Sequence, residues 1–237
     1  MFPSGASGNP DLTRKVEEKL KNWQAALARA APPPVARRKK ETAEFVTVSR
    51  MVGTDGQAFA AALGERLGWP VFDREILHVM AGDDNVREKV YETLDERDIG
   101  WIEDMLRWLV EKGLDKEHYF RRLSETILAL ARQGPAIFLG RGADLILPRD
   151  RGLRVRLVAP LEFRVHCIAL REHLTEIAAR TRVDRVQSER HEFLRTHFGP
   201  RADDPARNDL TINVAKIPPA EAVELVAMVL RLHGVVR

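Results

Sequence analysis

The spacing of apolar and polar positions divides this chain into separable pieces. Residues 45–48 (Phe45, Val46, Thr47, Val48) form a short β-branched run that predicts a buried strand. A polar loop carrying Gly53 and Gly56 follows it. Ala58, Phe59, Ala60, Ala61, Ala62, Leu63 and Leu67 then supply a helical apolar face, with Gly68 at the C-cap. Further strands are predicted over 69–73, 136–139, 154–159 and 209–214. Residues 74–133 read as helical throughout. There Asp98 caps a segment with Ile102, Met105, Leu106, Leu109 and Val110 on one face, and Asp115 opens another with Leu123, Ile127, Leu128 and Leu130 inward. Trp101 and Trp108, one position off that stripe, read as helix packing rather than a base-stacking platform. Helices are also predicted at about 160–179 and 184–198, and from 219 to 232.

The beginning of the chain is patterned differently. Residues 1–11 carry no periodicity and are expected to be disordered. Val16, Leu20, Trp23 and Leu27 recur at spacings of three and four, predicting a helix over 12–30. Pro32, Pro33 and Pro34 end it, and the basic run 37–40 reads as a solvated linker. The expected organisation is an N-terminal helical arm and basic linker over 1–43 and a main domain over 44–237. The arm is expected to dock on its own domain or on a protein partner.

Strands alternating with helical segments predict an α/β fold, a parallel sheet of about five strands with helices on both faces. Ligands in such sheets bind at the carboxyl ends of the strands. That rule collects residues 50–56, Asp73, residues 140–144 and residues 159–160 on one rim.

Composition narrows the class. A hydrophobic share of 44% and a charged share of 31% suit a globular protein, and no apolar run has the length of a membrane span. The first residues lack the apolar centre of a signal peptide, so a cytoplasmic location is expected. The single cysteine, Cys167, excludes an intrachain disulfide and reads as core filling. The net charge of +3 does not demand nucleic acid. Its distribution says more: from Arg141 to Arg207 there are 14 arginines and no lysine. Arginine's rigid fork suits bidentate recognition of phosphate and carboxylate.

Three constellations carry candidate chemistry. The strand, glycine loop and helix of 45–68 form the unit that cradles phosphate, through loop amides and the helix dipole. The second is the turn Gly140-Arg141-Gly142, which follows a strand directly and holds Arg141 at the rim. There Arg141 either contacts ligand or pairs with Asp144 or Asp73. The third is the basic stretch of Arg180, Arg182 and Arg185, with Arg190 following. It is either a solvated helix face paired with Glu176, Glu189 and Glu192, or a mobile cap closing over phosphates.

Together these residues resemble the cytidylate kinase-like family, a branch of the P-loop nucleoside monophosphate kinases, over roughly 45–232. The resemblance rests on S-R-x-x-G-x-x-G (Ser49, Arg50, Gly53, Gly56), V-F-D-R-E-I-L (71–77), F-L-G-R-G-A-D (138–144) and V-R-L-V-A-P (155–160). The stretch of Arg182, Asp184 and Arg185, and N-D-L-T-I-N (208–213), complete it. It implies a P-loop kinase-like sheet with a helical insertion and an arginine-rich lid. It further implies that Arg50, Gly53, Thr54, Asp55, Gly56 and Gln57 hold the phosphates of ATP. Asp73, Arg74, Arg141 and Asp144 would hold a monophosphate acceptor, and Arg182, Arg185 and Arg190 would neutralise charge during transfer. ATP and Mg²⁺ are the implied cofactors. The implied reaction moves the γ-phosphoryl group to CMP, dCMP or a similar acceptor.

The loop departs from the family pattern. The common P-loop reads G-x-x-G-x-G-K-x-[ST], and in this register Gly56 stands at the lysine and Ala58 at the metal-binding hydroxyl. Gly53-Thr54-Asp55-Gly56 also brings a carboxylate into the cradle, where Asp55 either helps hold magnesium or repels nucleotide. Arg50 is the candidate replacement for the lysine. The rival expectation is therefore a weak or inactive kinase fold used as a nucleotide sensor or interaction module. Nucleic-acid binding ranks last, because aromatic residues are only 6% of the chain and none interleave the arginines as a stacking motif.

Overall fold

The computed structural model describes residues 10–29, 43–112 and 118–236. Residues 1–9, the proline break with the basic run 37–40, and the expected helix start at Asp115 lie outside the described residues. The elements run α1 (Pro10–Arg29), β1 (Phe45–Arg50), α2 (Gly56–Leu67), β2 (Val71–Phe72), α3 (Arg74–Gly82), α4 (Asp84–Tyr91), α5 (Glu96–Glu111) and α6 (His118–Gln133). They continue β3 (Ala136–Leu139), α7 (Ala143–Ile146), β4 (Leu153–Val158), α8 (Leu161–Glu172), α9 (Glu176–Phe198), β5 (Leu210–Asn213) and α10 (Pro219–Leu232). The strands form one sheet in the order β2-β3-β1-β4-β5, with β1, β4 and β5 paired in parallel. This is the α/β architecture that the alternating pattern predicts.

The chain divides into two compact units. The first combines the chain up to Glu44 with Phe72–Ala136. Helix α1 starts at Pro10, two residues inside the stretch expected to be disordered, because proline suits a first helical turn. Its Val16, Leu20 and Trp23 are buried, and it packs on α3 and α4. Trp23 meets the edge of Phe72 at a centroid distance of 5.3 Å, and Lys89 pairs with Glu17 at 2.7 Å. The insertion is several helices, and aspartates start three of them: Asp73 for α3, Asp83 for α4 and Asp95 for α5. Asp98 is therefore not the cap. It sits at the third helical position, completes a capping box with Asp95, and takes the Arg132 guanidinium. Ile102, Leu106 and Leu109 are buried as expected, whereas Val110 is 50% exposed and Trp108 40% exposed. The apolar stripe is narrower than its sequence spacing suggests.

The second unit, Phe45–Val71 with Ile137–Arg237, holds most of the sheet. Val46, Val48, Val155, Leu157 and Ile212 make one apolar face. Phe59, Ala60 and Leu63 of α2 and Ala222, Val223, Val226 and Leu230 of α10 cover it. The other face of β1 and β4 is polar, since the register sets Thr47 beside Arg154 and Ser49 beside Arg156. Arg154 is 0% exposed. It donates to the carbonyls of Asp144, Leu147, Pro148 and Arg151, and its guanidinium lies 5.4 Å from the Phe45 ring centroid. The loop after α7 thus turns its carbonyls inward and satisfies a buried cation.

The helices expected at 160–179 and 184–198 are cut elsewhere. The break falls at 173–175, where His173 is left-handed (φ 53°) and the Thr175 hydroxyl caps Ala178 N. The whole basic stretch 180–190 therefore lies inside one continuous helix, α9.

Candidate active site

The glycine loop leaves β1 at Arg50. Met51 N–H extends the ladder to Leu157 O at 3.0 Å, and the Thr54 hydroxyl closes back on Met51 O at 2.9 Å. Gly53 has φ 88°, and a Cβ there would stand 2.5 Å from the Arg164 carbonyl of α8, so only glycine fits. Asp55 is left-handed (φ 50°, ψ 41°) and occupies the N-cap of α2, yet its side chain makes no cap bond. Its carboxylate faces Arg171 of α8 at 3.4 Å instead. The first amides of α2, from Gly56 and Gln57 onward, are thus not covered by the capping side chain. That is the local chemistry of an anion site.

Arg50 runs along the two glycine turns. A Cβ at Gly56 would come 2.8 Å from its Cγ, and one at Gly140 would meet its Nη1. Gly140, Arg141 and Gly142 are three successive left-handed residues (φ 77°, 57° and 69°). For Arg141 this conformation costs about 1–2 kcal/mol. Its guanidinium lies over the ring of Phe193 on α9, 5.0 Å from the centroid. One turn earlier on that helix, Arg190 Nη1 donates to Arg50 O at 3.3 Å. The glycine loop, Arg50, Arg141 and Arg190 are brought together in this way.

Other predicted residues are placed differently. Arg182 pairs with Glu172 at 3.3 Å and Arg180 with Glu162 at 3.1 Å, so their partners lie on α8 and not at Glu176, Glu189 or Glu192. Arg185 is exposed. Asp73 and Arg74 belong to the first unit, where the Asp73 carboxylate accepts from Glu75 N and Ile76 N, both at 3.0 Å, and Arg74 is exposed. Asp144 does not stand open on the rim. It is 4% exposed and faces buried Arg207, with Nη1 3.5 Å from its Oδ2. Burial pushes the Asp144 carboxyl above the usual carboxylate range, and Arg207 opposes that shift. Burial also lowers Arg154, Arg156 and Arg164; a guanidinium so shifted still carries its charge at neutral pH. Cys167, expected in the core, is only partly buried, and burial raises its thiol.

Sequence reading missed Arg164, Arg171, Gln187, Phe193 and Arg207. For Gln187 a signal exists: Ala179, Val183, Gln187 and Arg190 recur at spacings of four, four and three, which sets them along one side of α9.

Magnesium can be tested against these residues. Among the described residues no group of three His, Cys, Asp or Glu side chains could hold a metal ion. Asp55 is paired with Arg171, the Thr54 hydroxyl is bonded inward, and position 58 is alanine. Among the described residues the loop has no dedicated metal site.

A parallel sheet with a glycine loop opening onto a helix and flanking arginines is the frame of a kinase-like α/β fold. The model of the cytidylate kinase-like family matches residues 45–216, and the chain belongs to that family. No curated protein matches. Among solved structures, an uncharacterised protein from Eubacterium ventriosum is similar, with 15% identity and a TM-score of 0.56, over 79% of this chain and 98% of that one. That likeness shows the fold alone. A gluconokinase from Sinorhizobium meliloti (18% identity, TM-score 0.41, 82% and 95% coverage) is also similar. So is a shikimate kinase from Bacteroides thetaiotaomicron (12%, 0.42, 81% and 98%). At that level of superposition these two say nothing about chemistry. No helix among the described residues is long and apolar enough to cross a membrane.

Proposed function

We propose that the domain over 44–237 transfers the γ-phosphoryl group of ATP to a nucleoside monophosphate, with CMP or dCMP as the first acceptors to test. The observation that carries this is the glycine loop leading into α2, whose N-cap Asp55 turns its carboxylate to Arg171 instead of capping the helix, with Arg50 and Arg190 beside the loop. Phosphoryl transfer asks a protein for positioning and charge stabilisation more than covalent chemistry. In this reading the amides at Gly53 to Gln57 receive ATP phosphates, Arg50 replaces the missing lysine, and Arg190 meets the developing charge. Arg182 and Arg185 join it once the Arg182 pair with Glu172 opens. Arg141, held in a strained conformation at the rim, takes the acceptor phosphate. Asp144, in the short helix after the Arg141 turn, is held by Arg207 and supports the turn rather than meeting the acceptor. Magnesium would have to arrive with the nucleotide, because the Asp55 carboxylate and the Thr54 hydroxyl are engaged elsewhere.

A second reading has its own support. Glycine at 56, alanine at 58 and the lack of a metal-binding group among the described residues favour a nucleotide sensor with little or no turnover. A coupled ADP-release assay with ATP, Mg²⁺ and a panel of nucleoside monophosphates separates the two. Turnover with one acceptor supports the kinase. Nucleotide binding by calorimetry without turnover supports the sensor.

Asp55→Gly tests the loop. Glycine relieves a left-handed residue, at the cost of a half-exposed ion pair worth about 0–1 kcal/mol. The expected outcome is a melting temperature close to the original and several-fold tighter ATP binding by titration calorimetry. Weaker binding only in the presence of Mg²⁺ would assign Asp55 to the metal instead.

A further inference from the structure

The glycine loop and the α8–α9 hairpin meet at one residue, Val52, and every part of that residue is engaged. Its side chain is buried in the small apolar core of the hairpin, with Val165, Ile168, Ala179 and Val183. Its N–H donates to Gln187 Oε1 of α9 at 3.0 Å. Its carbonyl accepts from Arg164 Nη1 of α8 at 3.4 Å, while Arg164 Nε is anchored on Ala159 O at 3.1 Å. Gln187 Nε2 lies 3.0 Å from His191 Nε2, one turn along α9, and that contact holds the amide with its oxygen toward the loop. Immediately after Val52, Gly53 lies against the α8 backbone.

We propose that Gln187 is a positioning residue of the glycine loop, which with Arg164 grips both backbone polar groups of Val52 so that the loop and the α8–α9 hairpin move as one body. The proposal rests on the reading of this loop as the phosphate site. In the common P-loop the lysine itself spans from helix to loop and phosphate. Here position 56 is glycine, and the loop is braced from outside by side chains of the two following helices. A displacement of α9 is then felt at the amides of residues 53–57, and a phosphate that orders those amides is felt at α9. The arginine-bearing helix cannot lift away as an independent flap without breaking the Val52 contacts.

Gln187→Leu keeps the shape of the side chain and removes the acceptor, leaving a buried N–H without a partner. Gln187→Glu restores an acceptor oxygen. In the full chain, Gln187→Leu is expected to raise the Kd for ATP by about tenfold and to speed amide exchange at Val52, resolved by NMR. Gln187→Glu is expected to return both toward the original. A role in stability alone would lower the melting temperature and leave the nucleotide Kd unmoved. Unchanged affinity and exchange in Gln187→Leu, or no recovery in Gln187→Glu, would overturn the proposal. If the unaltered chain takes up no ATP, the phosphate-site reading fails, and exchange at Val52 then decides the grip alone. Fast exchange in the leucine variant and slow exchange in the glutamate variant support it; equal exchange in all three overturns it.

Discussion

Arg190→Ala lowers the turnover of the proposed phosphoryl transfer by about a hundredfold while changing the affinity for ATP only a few-fold. Arg190 is partly buried on the side of α9 that faces the glycine loop, and it reaches the Arg50 carbonyl at 3.3 Å. A guanidinium fixed there needs little reorganisation when charge spreads over the transferring group. Removing one such preorganised donor commonly costs on the order of 10²–10³ in rate. The loss falls on turnover because the interaction is strongest in the transition state. Arg195→Ala is the control: it removes the same charge from the same helix, at an exposed pair with Asp203, 2.8 Å away. Turnover there stays within about twofold of the original, as expected for surface pairs. Steady-state kinetics with the best acceptor checks both. Equal losses at 190 and 195 would mean that only the overall charge of α9 matters.

Arg207→Met destabilises the fold by about 3–5 kcal/mol near pH 8, because it leaves a buried carboxylate without its cation. Asp144 and Arg207 are both almost fully buried, and the Asp144 carboxyl is already raised by burial with Arg207 acting against the shift. Without Arg207 that carboxyl rises further. A group whose pKa is raised in the folded state contributes fully below its unfolded value, and that contribution fades as pH climbs through the folded value. The deficit relative to the unaltered chain is therefore small near pH 4 and complete near pH 8. Combining Asp144→Asn with Arg207→Met recovers most of the loss and flattens its pH dependence. Urea unfolding across this range provides the check. A deficit that is constant with pH would show that Asp144 does not feel Arg207.

Sequence and structure agree where the information is local. Helix α10 begins at Pro219 because proline's fixed φ suits a first helical turn, and α2 stops at Gly68 because glycine takes the left-handed cap without a steric cost. The glycine loop is legible as punctuation between a β-branched run and a helix, and the Gly140-Arg141-Gly142 turn as one that directly follows a strand, while the short helix α7 after it is not legible. Nor is the break at 173–175, since His173 takes a left-handed conformation without being glycine and Thr175 is one threonine among several. The strand at 154–159 was legible, but the burial of Arg154 was not, since it depends on carbonyls of Asp144, Leu147 and Arg151 that the strand pattern does not place. Gln187 is legible only as a member of a helix face, because its partner is 135 residues away in the chain.

The division into two units also sets an order of events during synthesis. Strand β1 reaches the solvent long before β3 and β4, its neighbours in the sheet, have been translated. At about 5–20 residues per second, that delay is on the order of ten seconds. Helix α1 waits similarly for α3 and α4, while β1 and α2 pass through the ribosome between them. The nascent chain thus carries an unpaired apolar strand and an amphipathic helix past each other before either finds its place. Contacts this distant in sequence close slowly, so β1 and α1 stay without their final neighbours until the later strands and helices have been made.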